Sequence, residues 1–221
     1  TNNGSLYVRQ NVTNGQAAMP VGTGTLYLNG TSAQIVGGTQ PFRTFNLVTN
    51  NAAGITLNAN LSVSGAHTFT SGVIATSVTP NYLIYEVGSS HIGSADSRHV
   101  NGWVKKIGNS NFTFPVGNGT FLRNTAISNL SASSEFNCKF FLVTPNPTNI
   151  LAPILLVDNN EYWDITRVSG GTADITLNWD NSKIAFPPFV LNQIKAANYF
   201  GGLWTDRGGS ATGNILTTGV I

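Results

Sequence analysis

Short apolar segments alternate with turn residues along the first half of the chain. Each segment has a period of two, so that one face is apolar and the other polar, as in a half-buried strand. Strands this short are unstable as a hairpin meander, whereas parallel rungs stacked on one another bury a continuous core. The pattern therefore predicts a short right-handed β-solenoid over residues 1–106. The predicted strands are residues 6–8, 26–28, 34–36, 45–48, 55–57, 61–63, 68–70, 73–75 and 82–85.

Turn residues follow these segments at irregular intervals. We expect Asn14-Gly15, Asn29-Gly30, Gly37-Gly38 and Asn50-Asn51 to supply the positive backbone angles that sharp corners require. The irregular spacing excludes a strict hexapeptide repeat and a calcium-binding nonapeptide repeat. We therefore expect a solenoid without a strict sequence repeat.

Longer and more aromatic segments follow a junction at residues 101–108, Asn-Gly-Trp-Val-Lys-Lys-Ile-Gly. In residues 175–179 the apolar side chains fall on one face and the polar ones on the other. Helical periodicity is nearly absent, and only residues 190–197 could form a helical turn. The chain is therefore predicted to be all-β, with an immunoglobulin-like or jelly-roll β-sandwich over residues 107–221. Its strands are predicted at residues 112–114, 124–127, 135–143, 162–166, 173–179, 198–200 and 203–205.

The predicted sandwich is expected to lack its last strand. Residues 213–221 read as a strand, a turn and the opening of a further strand, which would leave an unpaired edge. Such an edge is normally covered by more chain or by another molecule. We therefore expect other modules, or other copies of the protein, as partners.

Three tryptophans in the second half are expected in the sandwich core. Trp163, Trp179 and Trp204 lie on patterned strands, where large aromatic residues usually fill the core. A sugar-stacking platform formed by the same three rings is the alternative. Cys138 is the one cysteine, which excludes an internal disulfide, and we expect it as a buried apolar residue of a strand.

The composition predicts a neutral, hydrogen-bonding surface. Charged residues make up 9% of the chain, against about a quarter in an average domain, whereas hydrophobic residues reach an ordinary 41%. A net charge of +2, with the basic residues spread along the chain, provides no face that would hold a phosphate backbone. No apolar run approaches the roughly 20 residues of a membrane span. We therefore expect neither a nucleic-acid partner nor a membrane span.

Catalysis on polysaccharides, which some right-handed solenoids perform, needs converging carboxylates or a carboxylate-bound calcium beside a basic residue. Within the predicted solenoid the acidic residues are Glu86 and Asp96, and the nearest basic residues are Arg98 and His99. We interpret residues 94–99 as a solvated connector at the end of the solenoid. A site in this loop is the alternative.

Two places could hold a metal ion. Asp158, Asn160 and Glu161 form the best cluster of hard oxygen ligands and are the candidate site for a structural calcium. The usual Asp-x-Asp-x-Asp-Gly pattern is missing, so a plain polar turn is the alternative. His91 and His99 could meet across one corner, although the scattered histidines fit no short zinc spacing. No other cofactor is expected.

Several motifs resemble large secreted surface proteins of Bacteroidetes. They are Gly24-Thr-Leu-Tyr-Leu-Asn-Gly-Thr-Ser-Ala-Gln-Ile-Val-Gly-Gly38, Phe45-Asn-Leu-Val48, Gly54-Ile-Thr-Leu57, Asn101-Gly-Trp-Val-Lys-Lys106 and Phe114-Pro-Val-Gly117. The resemblance covers most of the chain. In that family a short β-solenoid leads into a β-sandwich, and a segment similar to Tyr162-Trp-Asp-Ile165 opens one of the sandwich strands. The motifs are specific for this architecture and unspecific for an activity.

The resemblance implies export through the type IX secretion system, attachment to the cell surface or release from it, and roles in adhesion and gliding motility. The secretion and outer-membrane machinery would then be partners, together with other modules of the same surface protein and surface glycans. The implied location is extracellular, on the outer face of the outer membrane.

We therefore interpret the protein as a non-enzymatic structural or adhesive module of a secreted bacterial cell-surface protein. The solenoid would act as a stiff spacer and the sandwich as a capping or contact unit, with weak multipoint binding strengthened by many copies. One alternative is a filament subunit whose incomplete edge near Ile221 exchanges a strand with its neighbour. Another is a carbohydrate-binding or carbohydrate-active domain.

Overall fold

The computed structural model describes residues 1–77, 79–145, 149–180, 182–183, 191–212 and 215–220, with the backbone alone at residues 191, 212 and 215–220. Across these ranges the chain is all-β, as predicted, with no α-helix and one 3-10 helix at Leu191–Gln193. The strands of the first half are β1 (Ser5–Val8), β2 (Val12–Thr13), β3 (Thr25–Leu28), β4 (Gln34–Gly37), β5 (Phe42–Thr44), β6 (Asn46–Asn50), β7 (Ile55–Leu57), β8 (Leu61–Val63), β9 (Ala66–Ser71), β10 (Ile74–Thr76), β11 (Tyr82–Tyr85), β12 (Ser90–Ile92), β13 (Val100–Asn101) and β14 (Trp103–Gly108). Those of the second half are β15 (Phe112–Phe114), β16 (Thr125–Ser128), β17 (Ser134–Phe141), β18 (Tyr162–Ser169), β19 (Asp174–Asn178), β20 (Ala197–Phe200), β21 (Leu203–Asp206), β22 (Ser210–Thr212) and β23 (Ile215–Val220).

Three parallel sheets form the predicted β-solenoid. Sheet 1 has the order β1-β3-β6-β9-β12, and sheet 2 has the order β2-β4-β7-β10-β13. Sheet 3 begins with β5, β8, β11 and β14. The chain visits the sheets in rotation, so neighbouring strands of one sheet lie one turn apart, and the solenoid has about five turns. We call the first turn the near end and the fifth turn, β12 to β14, the far end. The handedness of the solenoid stays a prediction.

Equivalent side chains of successive turns stack in columns. One column runs in register from Leu6 through Leu26, Leu47 and His67 to His91. Leu26 and Leu47 are buried, as are most apolar residues at the matching inward positions of the other turns. Strands of three or four residues therefore obtain a core from the turns above and below them, which no single hairpin of this length could provide.

Side-chain amides, rather than positive backbone angles, hold most of the predicted corners. Among the four predicted corner pairs, all of which the structure describes, only Gly38 has a positive φ, +117°. A Cβ at Gly38 would lie 2.1 Å from the carbonyl oxygen of Asn14. Asn14 itself donates its Nδ2 to the carbonyl oxygens of Gln16 and Pro41, at 3.1 and 2.7 Å. The predicted positive angles are therefore wrong at the other three pairs. Side-chain amides bond the backbone at these corners instead, those of Asn14 and Asn51 and, at Gly30, that of Gln34.

The second half extends sheet 3 and adds a new sheet. Beyond β14, sheet 3 continues with two antiparallel strands, β17 and β18. Sheet 4 is antiparallel with the order β15-β16-β19-β23-β22, and β20 pairs with β21. Ile127 and Ile175 of sheet 4 share one hydrophobic core with Phe136 of sheet 3 and with the solenoid. The immunoglobulin-like or jelly-roll interpretation and the domain boundary after residue 106 stay predictions.

The strand expected at an unpaired edge lies inside sheet 4. β23 pairs with β19 on one side and with β22 on the other. The edge strands of sheet 4 are β15 and β22 instead. Residues 213, 214 and 221, on which part of the expectation falls, lie outside the described residues. That the sandwich lacks a last strand stays a prediction.

Candidate functional site

A groove of about 610 Å³ lies at the far end of the solenoid, between β12 and β15. It is lined by residues 88–94 and 110–113, which are small or hydroxylated apart from Asn111, Ile92 and the rings of His91 and Phe112. The imidazole of His91 reaches β15, and its Nε2 lies 2.6 Å from the carbonyl oxygen of Thr113. Sequence periodicity contains no signal for this groove, because it depends on how two strands of different sheets separate.

Buried polar side chains continue inward from the groove. His67 is fully buried, with Nε2 3.1 Å from Thr49 Oγ1 and Nδ1 2.7 Å from the Tyr85 hydroxyl. Burial, with a smaller contribution from the neighbouring His91, lowers the pKa of His67 well below its usual value. Burial also lowers the pKa of His91, against the opposing effect of Thr113, and raises the pKa of Tyr85. These groups are therefore neutral at pH 7. Thr49, His67 and Tyr85 form a buried hydrogen-bond chain, whereas His91 bonds β15.

Lys106 covers the far end from sheet 3. The residue is 1% exposed, and its Nζ donates to the carbonyl oxygens of Glu86 and Ser89 at 3.0 Å each. The ammonium also lies 5.1 Å from the ring centre of Phe112. Burial lowers the pKa of Lys106 from 10.5 to about 8. Sequence reasoning missed this residue, although the alternation of β14 places it in phase with the buried Val104.

The candidate catalytic side chains of the first half bond separate neighbours. Glu86 pairs with Arg43 at 3.0 Å, and Asp96 pairs with Lys183 at 2.7 Å. Arg98 donates to the carbonyl oxygen of Gly93, and His99 accepts a hydrogen bond from the Gly119 N–H at 3.1 Å. Asp96 and His99 are close enough to interact electrostatically, whereas Glu86 bonds a side chain of β5. The structure therefore does not bring all four into one cleft.

The two histidines considered as metal ligands also have different partners. His91 bonds the carbonyl oxygen of Thr113, whereas His99 is buried and accepts a hydrogen bond from Gly119. Among the residues that the structure describes, no group of three or more His, Cys, Asp or Glu side chains is placed to hold a metal ion.

A buried ion pair lies at the loop of the candidate calcium site. The side chain of Arg123 is 2% exposed and that of Glu161 is 0% exposed, and Arg123 Nη2 donates to Glu161 Oε1. Asp158 accepts a hydrogen bond from the Asn160 N–H at 2.9 Å, as in an ordinary polar turn. Burial raises the pKa of both carboxyl groups, and Arg123 opposes this shift. A calcium ion bound by Asp158, Asn160 and Glu161 stays a prediction.

Sequence reasoning did not identify Arg123. Its partner Glu161 lies 38 residues further along the chain, so no local pattern connects the two. The backbone carbonyl of Arg123 also accepts a hydrogen bond from Trp163 Nε1 at 2.8 Å. The two bonds fix the chain ahead of β16 to the start of β18.

Four aromatic side chains form a row on the outer face of sheet 3. This outer aromatic row consists of Tyr82, Trp103, Phe141 and Tyr162, all half-buried, on β11, β14, β17 and β18. Successive ring centres lie 6.0, 6.3 and 4.8 Å apart. The rings of Phe141 and Tyr162 stack at an angle of 6°, and Lys139 Nζ lies 4.5 Å from the centre of the Phe141 ring. The row therefore combines half-buried rings with a cation on one face of sheet 3.

The three tryptophans of the predicted core differ in their surroundings. Trp179 is 5% exposed in a small cluster with Ala196, and Trp163 packs partly buried against the main core, as predicted. Trp204 is half-buried instead, and its ring centre lies 5.4 Å from that of Tyr199 on the paired strand. Cys138 is fully buried, as predicted, and burial raises the pKa of its thiol.

Comparisons of the chain with protein-family models, with curated proteins and with solved structures found no match. Within the described residues, no helix has both the length and the apolar character needed to cross a membrane. A function must therefore be argued from the residues of the chain itself.

Proposed function

We propose that the protein is a non-enzymatic structural and adhesive module of a secreted bacterial cell-surface protein. The observation that carries the proposal is the continuity of sheet 3, which runs from β5 through β14 to β17 and β18. One hydrophobic core lies beneath the whole of this sheet. Because packed interiors have low compressibility, a shared sheet and core resist bending between the two halves. This construction suits a stiff spacer.

The outer face of sheet 3 supports the adhesive part of the proposal. Two ion pairs lie on it, Arg43 with Glu86 and Lys105 with Glu135, and Lys139 lies opposite Asp164 in register, so the face is nearly neutral. The outer aromatic row adds apolar contact area beside these pairs. A flat neutral face offers many weak contacts to a polymer or a surface, and many copies would multiply their effect.

Location and partners belong to the same proposal. Export by the type IX system, attachment at the cell surface, and a role in adhesion or gliding rest on the motifs that resemble Bacteroidetes surface proteins, such as residues 24–38 and 101–106. Other modules or copies of the surface protein, the secretion machinery and surface glycans are the partners that follow. An immunoglobulin-like or jelly-roll sandwich over residues 107–221 is supported by the core shared between sheets 3 and 4.

Multivalent display tests the adhesive role. Beads that carry many copies of the 221-residue protein should remain on a film of neutral polysaccharide through washes that remove the free protein, because avidity can exceed single-site affinity by about 10²–10⁴. The double variant Trp103→Ala/Tyr162→Ala removes two rings of the outer aromatic row. We expect it to reduce bead retention about tenfold, the equivalent of about 1.4 kcal/mol.

A matched control is available on sheet 1. Tyr7 and Tyr27 stack on each other with ring centres 4.3 Å apart, so Tyr7→Ala/Tyr27→Ala also removes two outward rings. This variant should keep the retention of the wild type. An equal loss in both double variants, at unchanged melting temperature, would mean that sheet 3 is not the contact face, and no retention of wild-type beads would overturn the adhesive proposal.

Carbohydrate binding is the second candidate, favoured by the half-buried Trp103 and Tyr162 beside Lys139. Trp and Tyr rings are amphipathic and can contact sugars with a large area. Release of the beads by soluble polysaccharide would support this candidate. Equal retention on bare plastic would instead support general adhesion, and new reducing ends in the film would indicate a carbohydrate-active domain.

A further inference from the structure

The chain continues two of the three solenoid sheets beyond the fifth turn. In sheet 2, Val116 forms a parallel bridge with Val100 of β13. In sheet 3, β17 pairs with β14 over residues 134–138. In sheet 1, by contrast, β9 is the one neighbour that β12 has among the described residues. The sixth strand position is therefore occupied in sheet 2 by Val116 and in sheet 3 by the antiparallel β17, whereas no described residue occupies the strand position beside β12 in sheet 1.

The backbone of β12 turns hydrogen-bonding groups toward this position. The Ser90 N–H donates to the Gly65 carbonyl oxygen at 3.1 Å, on the side of β9. Because successive residues of a strand bond to opposite sides, the backbone N–H and C=O of His91 face the other way, toward the groove. An unpaired row of this kind is a template for a further strand.

β15 borders the groove from the other side. It pairs with β16 and forms the edge of sheet 4. The Thr113 carbonyl oxygen points into the groove, since it accepts a hydrogen bond from His91 Nε2 at 2.6 Å. Two strand edges thus border one groove of about 610 Å³.

The occupied neighbouring strand positions and the uncharged lining restrict which ligands could enter the groove between β12 and β15. A rigid turn of a second solenoid cannot, because Val116 and β17 already lie on the matching positions of sheets 2 and 3. A single extended strand fits this restriction. None of the lining residues, 88–94 and 110–113, carries a formal charge at pH 7, with histidine neutral. Lys106, whose Nζ bonds the Ser89 carbonyl oxygen behind this lining, is 1% exposed and offers no accessible partner. An ionised side chain inside the groove would therefore lose water without gaining a direct partner.

We propose that the groove between β12 and β15 accepts a single uncharged, extended segment of another polypeptide chain. The segment adds to β12 as a parallel strand and completes sheet 1 of the sixth turn, in the manner of β-augmentation. Its backbone bonds His91 and Thr113, and an apolar side chain contacts Phe112. This interaction surface is distinct from the outer face of sheet 3 and does not depend on adhesion.

A capped peptide with the sequence of residues 24–29, Gly-Thr-Leu-Tyr-Leu-Asn, is a suitable probe, because β3 has parallel neighbours on both sides in sheet 1. Hydrogen exchange in the 221-residue protein should show saturable protection, about tenfold, at the backbone amides of His91 and Thr113. A control peptide with Leu26→Lys and Leu28→Lys should give no protection. Protection at neither amide, or equal protection by the charged peptide, would overturn the proposal.

Proline variants sharpen the test. Thr113→Pro removes a backbone N–H at an edge strand, where proline is tolerated, and should weaken peptide binding at least about tenfold. Thr113→Ala keeps the backbone donor and should bind within about threefold of the wild type. Binding unchanged by Thr113→Pro would contradict the role of β15. Protection of the same amides that grows with protein concentration, without any peptide, would replace the proposed partner by a second copy of this chain.

Discussion

The near and far ends of the solenoid have the same inward column but differ in what covers it. At the near end Leu6 is 43% exposed and its neighbour Tyr7 is 59% exposed. One turn further, Leu26 in the same column is 1% exposed. At the far end the column ends in His91, whose imidazole bonds the covering strand β15. The buried Lys106 bonds the adjacent corner.

This difference shows that burial in the solenoid is decided by neighbouring turns and not by the strand itself. Leu6 and Leu26 are the same residue type at equivalent positions, paired in register. Only Leu26 has a turn on both sides, β1 and β6. The far end replaces a missing apolar neighbour by polar side chains, of which His91 bonds through Nε2 and Lys106 through Nζ. Polar capping is typical of the terminal repeats of solenoids.

The largest loss of stability is expected from breaking the buried ion pair of Arg123 and Glu161, which lies next to the strand position that Val116 occupies beyond the fifth turn. The backbone N–H of Arg123 donates to the carbonyl oxygen of Val116 at 2.8 Å, and the Arg123 side chain pairs with the buried Glu161. Arg123→Met leaves the Glu161 carboxylate buried without a cation, which should lower the free energy of unfolding by about 3–5 kcal/mol. Urea denaturation followed by tryptophan fluorescence measures this loss.

Two further variants test the explanation. Arg123→Met/Glu161→Leu removes both charges and should recover much of the lost stability, because apolar pairs can replace buried ion pairs. Lys139→Met removes a cation from the partly exposed outer face and should cost well under about 1 kcal/mol. A loss below about 1 kcal/mol for Arg123→Met would contradict the view that Glu161 depends on Arg123 as its buried partner.

A pair of leucine truncations compares the column directly. Leu47→Ala in the third turn removes a fully buried side chain and should cost about 2–5 kcal/mol. Leu6→Ala makes the same chemical change in the same column, but at 43% exposure it should cost less than about 1 kcal/mol. Equal losses in urea denaturation would indicate that the near end is covered in solution.

Much of the solenoid could be predicted because its information is local. The alternation in segments such as residues 26–28 and 55–57 marks strands directly, and β3 and β7 lie there. Their stacking follows from the same pattern, since strands this short need neighbours to bury their apolar face. The all-β character of the second half was equally visible in residues 175–179, which fall within or beside β19.

The buried polar groups at and beside the far end, and the groove between β12 and β15, could not be predicted in the same way. Arg123 and Glu161 meet across 38 residues, and the groove forms where β15 pairs with β16 instead of with β12. Both depend on tertiary packing that no periodicity encodes. Lys106 is the intermediate case, because its phase with Val104 predicts an inward position, but an inward lysine contradicts the usual exposure of this residue type.

The smallest expected effect is the pH dependence of stability that Lys106 contributes at the far end. The pKa of Lys106 is about 8 in the folded protein, against 10.5 for an exposed lysine. Between these values the unfolded chain binds more protons, so the contribution of Lys106 to stability increases with pH from about 8 to 10.5 and is constant below pH 8. We expect a gain of about 1–3 kcal/mol across this window.

The gain in the free energy of unfolding from Lys106 is measured as a difference between the wild type and a variant. This is necessary because burial raises the pKa of the Cys138 thiol, which lowers stability above pH 9 in all of these proteins. Lys106→Met should abolish the increase in the free energy of unfolding relative to the wild type. Lys105→Met removes a lysine from the outer face of the same strand and should retain it. Urea denaturation at half-unit steps from pH 7 to pH 10.5 provides the three curves. Parallel curves for the wild type and Lys106→Met would mean that the far end admits water to the ammonium, and the contrast between a covered far end and an open near end would then fail at this residue.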